Sequence, residues 1–154
     1  MTRCIVRSRQ LRTMLAMTAL AVFASACKET VDDHPEVDAM RITLTGQAPV
    51  LVNSSGVASA SLALTQGVTT GLTVEFLDAT LQDALVGHAD EFQVNVTPDA
   101  GITFARTGPF AGTLTATATG DIVVNVAMFH IEDGEEEFGP FPVTITVNPP
   151  PTLR

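Results

Sequence analysis

Residues 112–131 read GTLTATATGDIVVNVAMFHI, and their pattern decides the fold class. From Gly112 to Thr119, threonine alternates with Leu114, Ala116 and Ala118. Gly120-Asp121 then turns the chain, and Ile122, Val124, Val126 and Met128 recur at every second position. A period of two places alternate side chains on one face of a strand, whereas a helix needs a period near 3.6. Valine, isoleucine and threonine also suit a pleated, half-buried surface. This stretch is β-structure.

The same texture extends outward from Asp38 to Asn148. Upstream, Met40 to Thr45 alternates with Ile42 and Leu44 on one face, and Val50 to Val52 is short. Asn53-Ser54-Ser55-Gly56 turns into a segment from Val57 to Leu64, where Ala58, Ala60, Leu62 and Leu64 share a face. Gln66-Gly67 turns into Leu72 to Leu77, with Leu72, Val74 and Phe76 aligned. Asp78 to Asp90 is the least regular part, with room for one helical turn over 81–85 or a loop. Glu91 to Thr97 alternates Phe92, Val94 and Val96 before a turn at Pro98-Asp99-Ala100-Gly101. Ile102 and Phe104 mark a further strand, broken by Gly108-Pro109, and Pro142 to Val147 closes the series. Short β-rich runs bounded by turn residues predict an all-β sandwich or barrel. Pro149-Pro150-Pro151 ends the last strand, because proline cannot donate to a ladder.

Ahead of this domain the composition changes. Arg3, Arg7, Arg9 and Arg12 are followed by 13 uncharged residues from Met14 to Ala26. A bilayer-spanning helix needs about 20 apolar residues, so the run is too short to span and reads as a cleaved signal helix. Its exit, Ala24-Ser25-Ala26-Cys27, resembles the lipobox of bacterial lipoproteins, with alanine where leucine is commonest. That resemblance implies cleavage before Cys27, lipid on that residue, and anchorage in the bacterial cell envelope. Lys28, rather than aspartate, follows, which in such lipoproteins implies the outer membrane where the organism has one. The residues alone leave open an ordinary secretory signal cut near Ala24 or Ala26, with Cys27 a free thiol. The chain thus divides into a signal at 1–26, lipidated cysteine and acidic tether at 27–37, a domain at 38–148, and a proline-rich tail at 149–154. Ten extended residues after the cysteine reach at most about 35 Å.

Cleavage would remove four of the eight basic residues and none of the 17 acidic ones, taking the net charge from −9 to −13. Nucleic-acid binding requires a basic footprint, so it is excluded. Cys4 leaves with the signal and Cys27 carries lipid, so no thiol remains for a disulfide, a thiolate zinc site or a nucleophile. The fold must stand on its apolar core.

The second half of the domain resembles bacterial immunoglobulin-like modules of the intimin and invasin type. The carrying residues are Val94-Asn95-Val96 with Pro98, Gly101-Ile102-Thr103-Phe104, Gly112-Thr113-Leu114-Thr115, Thr119 to Val124, and Val143-Thr144-Ile145-Thr146-Val147. Asn95-Val96-Thr97 stands where that family has tryptophan-serine-serine, and the segment from Phe129 to Phe141 is atypical. The latter is similar to a segment of envelope lipoproteins in which an acidic run precedes a Gly-Pro-Phe-Pro turn. The resemblance implies a single immunoglobulin-like β-sandwich of about seven or eight antiparallel strands. It also implies a binding, adhesion or structural role with an envelope or surface protein as partner. It implies no catalytic residues.

Reactive side chains concentrate in His130-Ile131-Glu132-Asp133-Gly134-Glu135-Glu136-Glu137. Asp133-Gly134 predicts a type I′ hairpin turn, with positive φ at both positions. Carboxylates around such a tip suit a hard divalent cation, although the spacing is not that of an EF-hand. The competing reading is a solvated face whose like charges discourage edge pairing. Glu132, Asp133 and Glu135 are the carboxylates of that cation reading; His130 continues the inward parity of Ile122 to Met128, and joined to Glu132 and His88 it could hold zinc, copper or iron. Otherwise it is a neutral core histidine. Phe129, Phe138 and Phe141 could form an apolar patch for a partner or pack at the sandwich edge. The sequence has no G-x-S-x-G, H-E-x-x-H, P-loop or dinucleotide motif, so the chain reads as non-enzymatic, with no cofactor beyond that cation.

Overall fold

A computed structural model describes residues 35–152 of the chain. The expected signal segment at 1–26, Cys27, Lys28 and the expected tether up to His34 lie outside the described residues. Residues from Pro35 onward form a compact unit. Nine strands follow in order: β1 (Ala39–Leu44), β2 (Val50–Asn53), β3 (Leu62–Thr65), β4 (Thr69–Leu77), β5 (Phe92–Pro98), β6 (Ile102–Gly108), β7 (Ala111–Ala116), β8 (Gly120–His130) and β9 (Glu136–Asn148). No helix occurs among the described residues; the 78–91 segment is a series of turns.

The strands form two sheets, ordered β2-β1-β4-β7-β6 and β3-β9-β8-β5. With β2 and β3 set aside, β1-β4-β7-β6 and β5-β8-β9 reproduce the A-B-E-D and C-F-G sheets of an immunoglobulin-type sandwich. Two features differ from the sequence expectation. There are nine strands, and one pair, β3 with β9, is parallel. The cause lies after β2, where the chain crosses from the first sheet to the second. Residues 57–59 fold back on β2, with Val52 bridged to Ala58, and only Leu62–Thr65 joins the second sheet.

The core is where the two inner faces meet. Met40, Ile42 and Leu44 of β1 and Leu72, Val74 and Phe76 of β4 face Ile122 to Met128 of β8 and Val143, Ile145 and Val147 of β9. Each large side chain buried this way contributes about 1.5–3 kcal/mol. Gly112 is fixed by packing: a Cβ there would stand 2.1 Å from the Phe104 ring and 2.8 Å from the Ala105 carbonyl oxygen. The outer face of the first sheet carries threonine rows. Thr43 lies opposite Thr73, and Thr115 lies between Thr69 and Thr103, with the Thr69 and Thr115 hydroxyls 2.8 Å apart.

The register also gives the sandwich two unlike poles. Ala39, Asn53 and Leu77 lie level in the first sheet. Phe92 lies opposite His130 in the second. The edge-to-face contact of Phe76 with Phe138, 6.4 Å between ring centres, brings those ends to the same pole. The described chain enters at this pole through Ala39 and reaches the other at Asn148.

Candidate functional site

The densest group of polar side chains sits at the entry pole, on the hairpin between β8 and β9. His130 closes β8 with its backbone amide donating to the Glu135 carbonyl at 2.9 Å, and Gly134 donates back to the His130 carbonyl at 3.1 Å. Gly134 takes φ +74°, while Asp133 keeps negative φ, so the expected type I′ turn does not form. One glycine in the left-handed region suffices for this four-residue connection. Asp133 instead folds toward the histidine, with Oδ2 2.7 Å from His130 Nδ1.

His130 is buried, and its ring lies over Phe92 at 4.8 Å between centres. Its inward parity on β8 and its pairing with Phe92 place it there. Glu137 is brought alongside by irregularity in β9. Phe138 lies opposite Met128 and Glu136 opposite Phe129, leaving Glu137 as the extra residue of a bulge. A second shift follows between Val126 and Met128, where Gly139 takes φ +99°. A Cβ on Gly139 would stand 2.8 Å from the Val126 carbonyl oxygen, so only glycine fits. Bulges re-aim side chains in this way.

The result is a three-donor set: ligand atoms of His130, Asp133 and Glu137 lie within 4.8 Å of one another. One imidazole nitrogen and two carboxylates, with the carboxylates exposed, match the donor types that divalent metals use. Of the residues singled out from sequence, the structure brings His130 and Asp133 together and adds Glu137. Glu132 and Glu135 are exposed on the hairpin outside this set. His88 is not part of it. Its Nδ1 lies 3.1 Å from Glu91 Oε2, and backbone bonds from His88 to Leu85 and from Glu91 to His88 make that pair local.

The three phenylalanines do not form a surface patch. Phe138 is buried, edge-to-face with Phe76 and with Phe141, the latter at 4.9 Å. Phe129 and Phe141 are half-buried, and Phe141 abuts Gly56. Alternation along β9 and the bulge turn Phe138 inward, which explains the difference from an exposed cluster.

A groove of about 460 Å³ lies where β7 begins beside β4, lined by Thr43, Thr73, Glu75, Asp83, Leu85 and Phe110 among others. Both its carboxylates are engaged. Glu75 pairs with Arg41 at 3.0 Å, and Asp83 accepts from the Leu85 amide at 2.9 Å. Compared with models of known protein families, the chain matches none, and no curated protein matches it.

Proposed function

We propose that this chain is a lipid-anchored protein of the bacterial cell envelope whose sandwich serves as a non-enzymatic binding, adhesion or structural module of the intimin and invasin type. The observation that carries this reading is the sequence Ala24-Ser25-Ala26-Cys27 behind an arginine-flanked apolar run. Lipid on Cys27 would hold the domain at a membrane, since several acyl chains on one residue exceed what stable anchoring requires. The short acidic segment and the sandwich behind it are what such an anchor would display. The test is labelling with a radioactive fatty acid, followed by membrane fractionation, of the full chain and of Cys27→Ser. Label and membrane association in the parent, both lost in the variant, support the reading. A parent that takes no label, or a variant that stays in the membrane, overturns it.

A second reading, divalent-cation binding at the β8–β9 hairpin, is favoured by one observation: the convergence of His130, Asp133 and Glu137. Thermal unfolding of residues 28–154 with chelator, then with Ca²⁺, Zn²⁺ or Cu²⁺ separately, tests it. A metal at 100 times its dissociation constant adds about 2.7 kcal/mol. Glu137→Gln should remove most of that gain. Equal unfolding with and without every metal ends the idea.

A further inference from the structure

The two sheets have four edge strands, and each edge meets solvent differently. On β2, every outward backbone group is taken. Leu51 N donates to Ser59 Oγ at 3.0 Å, its carbonyl accepts from Ser59 N at 2.8 Å, and Asn53 bonds Val57 and Gly56. On β3, the Gln47 side chain stands in for a strand: its Nε2 donates to the Ala63 carbonyl at 2.5 Å and its Oε1 accepts from Ala63 N at 3.1 Å. The Thr65 carbonyl accepts from Val68 N at 3.1 Å. On β5, Val94 N donates to the Pro109 carbonyl at 2.8 Å and Pro98 has no amide to offer, so the edge is covered in part, with the outward groups of Val96 left open among the described residues. Exposed edges are normally blunted by such devices.

β6 differs. Gly67 N donates to the Ala116 carbonyl, which turns the even residues of β7 toward β4 and the odd ones toward β6. Thr103 and Ala105, opposite Thr115 and Thr113, therefore bond β7. The amides and carbonyls of Phe104 and Arg106 point the other way, and among the described residues no backbone or side-chain group takes them. The strand is also self-complementary about Ala105, which lies between Phe104 and Arg106 in its regular part. In an antiparallel pair of two such strands, phenylalanine meets arginine and Ala105 meets its own copy, with the bulged Thr107 beyond the paired stretch. No carboxylate lies on β6, so the acidic charge carried elsewhere does not oppose the pairing there.

We propose that β6 is a dimerisation edge: two copies of this chain join antiparallel through residues 104–106 across a two-fold axis at Ala105, making one continuous sheet. Phe104 and Arg106 of each copy form the hydrogen-bonded pairs. The two Ala105 residues form the close non-hydrogen-bonded pair, with Cα atoms about 4.5 Å apart. The Arg106 guanidinium, which rests on the Gln93 side chain, lies on the same side as the partner's Phe104 ring. Isologous contacts of this kind close into dimers. The inference does not depend on lipid anchoring.

Sedimentation equilibrium of residues 28–154, a range that holds the whole core, tests it over a concentration series. The parent should dimerise. Ala105→Glu sets two like charges face to face and should be monomeric where the parent is dimeric, with an unchanged circular dichroism spectrum. Mixing Ala105→Glu with Ala105→Lys should restore a dimer. Ala105→Cys, at a spacing a disulfide accepts, should cross-link to itself under mild oxidation, whereas Thr43→Cys on β1 should not. A parent that stays monomeric with no cross-link through residue 105, or a dimer indifferent to Ala105→Glu, overturns the proposal.

Discussion

Asp78 is half-buried, and one of its carboxylate oxygens sets the turn that leads out of β4. Oδ1 accepts from Thr80 Oγ1 and Thr80 N, both at 2.7 Å, and from Gln82 N at 3.1 Å. Within that loop Leu81 takes φ +62°, a conformation that costs a non-glycine residue energy and persists only when neighbours impose it. The Thr80 hydroxyl first, then the Gln82 and Thr80 amides, hold the Asp78 carboxyl below the ordinary aspartate range. A carboxylate with a lowered folded pKa stabilises the protein above its unfolded value of about 3.9 and ceases to do so as pH falls through the folded value. Asp78→Asn keeps an acceptor at Oδ1 and removes the charge. Its melting temperature should therefore lie below that of the parent at neutral pH, and the gap should close below about pH 4. A gap that persists unchanged into acid would assign the loss to altered geometry and not to the carboxylate's charge.

At the scale of the strand, the features legible in sequence are those that depend on period alone. Alternation marks β1, β4, β5, β7 and β8, and the inward parity of Ile122 to Met128 carries His130 into the core. What depends on register is not legible. Glu137 reaches His130 because β9 bulges there, and a bulge adds a residue without changing the local composition. The same irregularity hid the length of β9, since Gly139-Pro140 resembles a turn but continues the strand from Glu136 to Asn148. Likewise Val57 to Leu64 alternates as one strand would, but its first part closes the β2 edge and only its end forms β3. Gln47, in the turn after β1, carries no sequence signal, yet it makes two hydrogen bonds to Ala63 across the sandwich. Gln47→Ala should cost about 1–3 kcal/mol, because both partners on Ala63 are left without a protein ligand. Gln47→Glu, which keeps the acceptor and loses the donor, should also be destabilised. Urea unfolding midpoints at constant m-value read this directly. Midpoints equal to the parent's would mean that water replaces the side chain at no cost.

Over the whole molecule, charge is distributed as unevenly as the strands are regular. Among the carboxylates of the described residues, only Asp99 and Asp121 lie at the pole opposite chain entry. Asp78, Asp83, Asp90, Glu91 and the acidic run at 132–137 all gather at the entry pole, while the basic residues of the described strands are Arg41 and Arg106. Like charges held together by the fold repel one another, and unfolding separates them, so this arrangement opposes the native state. Salt shortens the reach of that repulsion from about 10 Å at 0.1 M to about 3 Å at 1 M. The melting temperature of residues 28–154 should therefore climb with NaCl and then level off. Calcium or magnesium at the same ionic strength should match that climb if only the field is being screened. A greater gain at millimolar concentration would require an ion held at His130, Asp133 and Glu137. In that case Glu137→Gln should lower the divalent response toward the monovalent curve while preserving the NaCl response. A melting temperature indifferent to NaCl would show that these carboxylates are hydrated too well to oppose folding, and crowding at the entry pole would then give no thermodynamic reason for a cation to bind there.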